Sequence, residues 1–214
     1  MIAHILDTLV PRRGRRAVVL CDGPRPRPET LAACLGDRDL FIVTDGAGRP
    51  FEDLPRPPDV VIGDFDTLGN TPPDTATTRY IHDVGQNTTD SEKALNLVAH
   101  ESCTDAVVLG AVGGLFDHSL SNAALPERFS WLLRVTLVSD DDVTVRVTAD
   151  DDQVWSLPQH SVVSLTPTGT GARGVTFPGV RWPPEDEDLA GAGPSPTPTH
   201  VADSPVRPRM QSGS

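Results

Sequence analysis

Apolar and polar positions follow two different rhythms along this chain. Up to about residue 140, short unbroken apolar runs end abruptly in turns: AVVLCDGP from residue 17, LFIVTDGAG from 40, DVVIGDFD from 59, DAVVLGAVGG from 105 and LRVTLVSD from 133. Runs this short, closed by Gly, Pro and Asp, are expected of strands buried on both faces. Between them stand segments with helical spacing, PETLAACLGD with Leu31, Cys34 and Leu35, and SEKALNLVAHES after Asp90, while SNAALPERFSWLL fits no single reading. Buried strands alternating with helices predict an N-terminal α/β domain built on an open, mostly parallel sheet. Beyond Asp140 apolar and polar residues alternate one by one in short pieces separated by Asp, Gly and Pro, which predicts antiparallel β structure. The expected division is 1–141 and 142–214, the last part being a Pro-, Gly- and Ser-rich tail without regular pattern.

Composition narrows the partners. The 214 residues carry a formal charge of −12 and a pI near 4.7. That balance excludes a nucleic-acid binder, because a phosphate backbone has to be met with basic surface. Lys93 is the only lysine, so a nucleotide ligand here needs metal ions to share the neutralisation. Three cysteines without CxxC spacing fit a reduced, cytoplasmic protein. The N-terminal basic cluster follows its short apolar stretch instead of preceding it, and no run approaches 18 apolar residues, so neither an export signal nor a membrane span is expected.

The candidate chemistry gathers where the apolar runs end. Asp64 and Asp66 stand one residue apart, and along an extended chain they share a face. Two carboxylates about 5 Å apart repel by roughly 3 kcal/mol at an effective dielectric near 20, so a cation is expected between them. Asp45 ends another run, and ligands of open α/β sheets bind outside such ends. The competing account is that strand-end aspartates only start turns or cap helices.

In GQNTTDSEKAL, residues 85–95, Thr88 or Thr89 suits a helix N-cap, with Ser91 and Glu92 in the first turn. Asp90 and Lys93, three apart, share a helix face. They read either as a metal-holding carboxylate beside a phosphate-reaching ammonium or as a solvated ion pair. GAVGGLFDHSLSNAA, residues 110–124, lacks GxGxxG spacing and reads as a close backbone approach to a nucleotide or as a plain turn. Trp182 is either a core residue or an exposed ring for stacking on a flat cation.

Taken in order, TDGAG, PDVVIGDFDTL, GQNTTDSEKAL, GAVGGLFDHSLSN and GVTFPGVRWP resemble the thiamine pyrophosphokinase family across nearly the whole chain. The resemblance implies Mg²⁺-dependent transfer of a pyrophosphoryl group from ATP to the hydroxyl of thiamine, a C-terminal β-sandwich domain and a homodimer with active sites between subunits. Carried over by position, Asp45, Asp64, Asp66 and Asp90 are the implied metal set. Asp64, Asp66, Asp90 and Lys93 are the implied catalytic residues, with Asp66 and Asp90 as candidate bases. Gln86, Thr89, Asp117 and His118 fall on the implied ATP side, and Trp182 and Ser195 on the thiamine side.

Three departures stand out. Leu115 replaces the arginine of GGRFD, TDGAGR with Arg49 replaces DGGAN, and Pro196 replaces the asparagine of a Ser-Asn pair. The family pattern also has one more apolar strand where this sequence ends at SGS. A catalytically weakened nucleotide- or thiamine-binding relative is therefore an alternative. A second is a haloacid-dehalogenase-like phosphatase with Asp64 as nucleophile, although Leu68 stands where its DxDxT motif needs a threonine.

Overall fold

The computed structural model describes residues 2–9, 11–48, 53–66, 74–190 and 198–214. Arg12–Val145 makes one compact unit; His4–Pro11 and Arg146–Ser214 make a second.

The first unit is a seven-stranded sheet. In chain order its strands are β1 (Arg16–Leu20), β2 (Leu40–Thr44), β3 (Val60–Gly63), β4 (Arg79–His82), β5 (Asp105–Leu109), β6 (Arg134–Val138) and β7 (Val143–Val145). In space the order is β4-β3-β2-β1-β5-β6-β7, all parallel except β7 against β6. The antiparallel alternation that starts near residue 142 therefore first extends this sheet. Four of the central strands are buried at every position, which is why they read as unbroken apolar runs. Within them the pleat sorts the faces: Ala17, Val19, Ile42, Val60, Ile62, Ala106 and Val108 form one core with Ala94, Leu95 and Val98 of a crossing helix.

That helix, α3, spans Asp90–His100; α1 (Ile2–Leu9), α2 (Pro28–Cys34), α4 (Phe116–Ala123) and α5 (Leu125–Arg128) complete the helices. α3 starts at the residue its sequence promises: Thr89 Oγ1 accepts from the Glu92 N–H at 3.3 Å and Glu92 Oε2 accepts from the Thr89 N–H at 2.9 Å, a reciprocal cap. SNAALPERFSWLL resolves into the end of α4, the short α5 and a turn.

Ion pairs gather at the edge of the sheet where the strands begin. Arg16 reaches Asp39 at 2.5 Å and Arg134 reaches Asp105 at 2.7 Å, both aspartates being buried. A shallow hollow on this edge is lined by Arg15, Arg38 and Arg56 together with Asp37, Asp39 and Asp59, so its charges balance.

Three thiols lie in this unit and all are buried. Burial pushes the Cys21 thiol from 9.0 up to about 11 against the opposing hydrogen bond from Ser91, and burial pushes Cys34 up to about 11 against the nearby Arg16. The unfolded chain loses these protons near pH 9 while the folded chain keeps them, so their stabilisation is complete below pH 9 and is lost as pH rises to about 11. Each site accounts for about 2–3 kcal/mol of that loss. Urea midpoints measured at pH 8 and pH 11 should differ accordingly, and Cys34→Ala should remove about half of the difference. A midpoint unmoved by pH in the parent protein would refute the account.

The second unit is antiparallel, as its alternation predicts. β8 (Val162–Val163) pairs with β11 (Thr199–His200), while β9 (Ala172–Val175) lies between β10 (Glu187–Leu189) and β12 (Ser212–Gly213). Trp155 and Phe177 meet edge to face at 6.2 Å in its core. The sequence reading of the tail as irregular needs correction for 198–214. Bridges Trp155↔Val206, Thr176↔Arg209 and Val180↔Val201, together with β12 on β9, tie it into the unit. The pairing is made by backbone amides, which leave little trace in side-chain pattern.

Candidate functional site

Strand order fixes where a ligand crevice opens. Connections leave β1 and β5, which are neighbours, toward opposite sides of the sheet, and this switch point is where open α/β sheets bind ligands. The two strand exits touch through bare backbone. Cys21 N–H donates to the Leu109 carbonyl at 2.9 Å, and a Cβ on Gly23 would fall 2.0 Å from the Gly110 carbonyl oxygen. Gly110 itself has φ +70°, a conformation that glycine adopts without penalty.

From this point acidic groups line the C-terminal edge strand by strand. Asp22 follows β1, and its N–H donates to Thr44 Oγ1 at 3.0 Å. Its carboxylate lies against the turn that follows β2, since a Cβ on Gly46 would sit 3.2 Å from Asp22 Oδ2. Asp45 opens that turn (Asp45–Gly48) and is buried. Gly63 lets β3 pass beside it, because a Cβ at 63 would come 2.8 Å from the Asp45 Cβ.

Asp64 and Asp66 follow, and the chain between them is not the extended pleat expected. β3 stops at Gly63, Phe65 takes φ +57°, and the Asp66 N–H donates to Asp64 Oδ1 at 3.3 Å. A tight turn, not strand alternation, links the two residues. Asp83 comes next, its N–H donating to the Gly63 carbonyl at 2.9 Å.

α3 supplies the cation. Lys93 Nζ donates to Asp90 Oδ1 at 2.9 Å and to the Asp83 carbonyl at 3.0 Å, and its side chain is only 3% exposed. The pair is not the solvated one that the sequence allowed. Burial works against the ammonium, but the hydrogen bond to Asp90 and the charges of Asp90, Asp83 and Asp64 outweigh it, so the lysine titrates above its ordinary value. The ammonium thus ties the loop before α3 to the helix and offsets part of the charge of Asp64, Asp83 and Asp90.

The other expected residues are placed less tightly. Thr89 is spent on the cap, though its hydroxyl proton stays available. Gln86 is exposed and donates only a long 3.4 Å bond to Val84 O. Asp117 and His118 stand exposed in the first turn of α4, where the Gly113 N–H donates to Ser119 Oγ at 3.1 Å. Leu115 is the N-cap residue there and offers no capping hydrogen bond.

In the second unit Trp182 is 55% exposed, with the Arg181 guanidinium 4.8 Å above its ring. Ser195, Pro196 and Arg49 lie outside the described residues. Asp22 and Asp83 escaped the sequence reading although both end strands as Asp45 and Asp64 do. Asp22 closes the first apolar run in plain view, and Asp83 follows a strand whose apolar pattern is too weak to see.

Magnesium is tested by these donors. Among the described residues no three or more His, Cys, Asp or Glu side chains are arranged as a ready-made chelate. The donors at this edge are all carboxylates, the hard oxygen type, and Mg²⁺ is usually held by one or two carboxylates with the remaining positions filled by phosphate and water. Asp64 and Asp66 supply two carboxylates of that type one residue apart.

Comparison with known proteins agrees with the sequence motifs. Residues 31–131 match the family model described as "Thiamin pyrophosphokinase, catalytic domain". The chain is 28% identical to thiamine pyrophosphokinase 1 of Oryza sativa subsp. japonica, over 89% of this chain and 82% of that protein. Its fold is shared with the thiamine pyrophosphokinase of Bacillus subtilis at a TM-score of 0.80 and 16% identity, covering 93% of this chain and 95% of that one. The thiamin pyrophosphokinase of Candida albicans aligns at a TM-score of 0.69 and 9% identity, covering 96% of this chain and 88% of that one.

Proposed function

We propose that the chain is a thiamine pyrophosphokinase that transfers the pyrophosphoryl group of ATP to the hydroxyl of thiamine, giving thiamine diphosphate and AMP, a reading supported by the family-model match over residues 31–131 and by the Oryza sativa relative. The observation that carries this reading is the acidic C-terminal edge of the sheet, with Asp22, Asp45, Asp64, Asp66 and Asp83 at or just beyond the strand ends, Asp90 opening α3 and Lys93 buried beside it. Such an edge repels a bare polyphosphate and accepts one that arrives with divalent cations.

In this reading Asp64 and Asp66 hold Mg²⁺, with Asp45 and Asp90 completing the set around ATP. The ion, when bound, offsets charge that develops on the transferred phosphoryl group. Lys93 keeps Asp90 and the Asp83 carbonyl in fixed positions. Asp66 is exposed whereas Asp90 is tied to Lys93, which favours Asp66 as the group that meets the thiamine hydroxyl proton. The family resemblance assigns Gln86, Thr89, Asp117 and His118 to ATP, and Trp182 and Ser195 to thiamine.

A homodimer belongs to the same reading. α4 buries only Asn122, while Leu115, Phe116 and Leu120 on and before it are exposed, Phe116 to 80%. An apolar face of that kind on a parallel-sheet crossover calls for a second copy to cover it. The phosphatase alternative fares worse, since residues 31–131 match the thiamin pyrophosphokinase catalytic-domain model and Leu68 stands where the DxDxT motif needs a threonine.

The test is incubation with ATP, Mg²⁺ and thiamine, followed by quantification of AMP and thiamine diphosphate. Equal amounts of the two are expected; ADP or free phosphate instead overturns the reading. Trp182→Ala should raise the KM for thiamine several-fold and leave that for ATP unchanged, a loss of stacking worth about 0.5–2 kcal/mol. Equal effects on both substrates remove Trp182 from the thiamine side.

A further inference from the structure

Phe65 is bulky, buried to 2% exposure, and held at φ +57° between the two aspartates Asp64 and Asp66. A left-handed conformation is disfavoured for such a residue by roughly 5- to 30-fold relative to ordinary backbone. Strain of this kind persists only where the surroundings impose it, and it concentrates at functional sites. Here the surroundings are two rings of β4. His82 stacks on the Phe65 ring at 5.6 Å between centroids and 28° between planes, and Tyr80 meets it edge-on at 6.3 Å. Contacts between aromatic rings each favour their geometry by about 2- to 12-fold. Two of them are the right size to offset the backbone penalty.

The register explains how the stack forms. Gly63 pairs with His82 in the parallel ladder, and Asp83 N–H donates to Gly63 O, so β4 runs alongside β3 to the point where the turn begins. Tyr80 and His82 stand two apart on the strand and therefore share a face. That face favours the left-handed conformation of Phe65 in the 64–66 turn. With φ negative at 65, the backbone leaves the arrangement in which Asp66 N–H meets Asp64 Oδ1, and the two side chains are no longer presented from the same turn.

We propose that His82, with Tyr80, is a positioning residue that stabilises the left-handed turn at Phe65 by ring stacking and so holds Asp64 and Asp66 ready for a divalent cation. The proposal rests on the reading of that pair as the cation-holding pair, and it assigns His82 no proton-transfer role. The ring is what matters, not its nitrogens.

His82 is exposed, so its variants should fold. The measurement is binding of Mn²⁺ alone to the full chain, followed through the electron paramagnetic resonance of the free ion, with thiamine-dependent AMP formation assayed in parallel. His82→Ala should weaken Mn²⁺ binding by about 2- to 5-fold and lower kcat, leaving the KM for thiamine unchanged. His82→Phe, which keeps a flat ring and no titratable nitrogen, should restore both. A second pair sharpens the test: Phe65→Gly should bind Mn²⁺ better than Phe65→Ala although it has less side chain, because glycine removes the left-handed penalty.

Parent-like binding by His82→Ala, failure of His82→Phe to restore it, alanine equal to or better than glycine at 65, or no Mn²⁺ binding by the parent each overturns the proposal. Absence of AMP formation by a parent that binds Mn²⁺ overturns the reaction assignment and leaves the order of the Mn²⁺ affinities to decide this inference.

Discussion

Replacing Asp66 by alanine is expected to abolish thiamine-dependent release of AMP, lowering turnover on the order of 10³-fold, the scale on which single charge-stabilising groups act in transition states. The fold should survive the change. Asp66 lies outside β3, is exposed, and contributes to the turn through its backbone N–H, which alanine keeps. The check is AMP formation by the variant at saturating ATP, Mg²⁺ and thiamine, together with a melting curve that overlays the parent's. Retention of most of the parental rate by a well-folded Asp66→Ala removes the carboxylate from the chemistry.

The second large effect falls on stability. Lys93→Met keeps the volume of the side chain and deletes its charge, leaving Asp90 Oδ1 and the Asp83 carbonyl without the donor that both now share. Removing one partner of a fully buried pair costs about 3–5 kcal/mol; Asp90 is 34% exposed, and water takes over part of the loss, so about 2–3 kcal/mol is expected. In a chain of this size that lowers Tm by about 5 to 10 °C. Because the lysine is held charged above its ordinary value of 10.5, its contribution is complete below that pH and is lost only as pH rises further. The gap between parent and variant should stay constant from neutral pH to about 10. Mg²⁺ should raise the Tm of the variant more than that of the parent, since the uncompensated carboxylates then gain a substitute cation. A variant as stable as the parent would show the pair to be ornamental.

How far the sequence speaks for itself differs from element to element. The strands β1, β2, β3 and β5 are buried at every position and wrote themselves as apolar runs. α3 showed its start through the threonine pair and Glu92, with the choice of Thr89 over Thr88 made by the fold. β4 did not show, because it is the edge strand of the sheet and its Arg79 and His82 are exposed, so RYIH carries little apolar signal. The cost of that silence was Asp83, the aromatic face against Phe65 and the turn that links Asp64 to Asp66. Left-handed backbone at a phenylalanine has no sequence signature, since the residue type argues against it.

Burial of Lys93 was likewise hidden. An i,i+3 pair with Asp90 looks the same in sequence whether it faces solvent or packs beneath a loop, and only the return of the chain through Asp83 decides which.

The contact between Gly23 and Gly110 decides how variation is tolerated at the heart of the sheet. Side chains are excluded from both positions, so anything that settles between these exits meets peptide groups, whose orientation depends on chain path and not on residue identity. Exposed neighbours such as Pro24 are then free to vary, whereas Ala111 and Val112 are held by the core, while the surface they flank stays the same. Relatives of low identity are expected to differ there in side chains and to coincide in backbone.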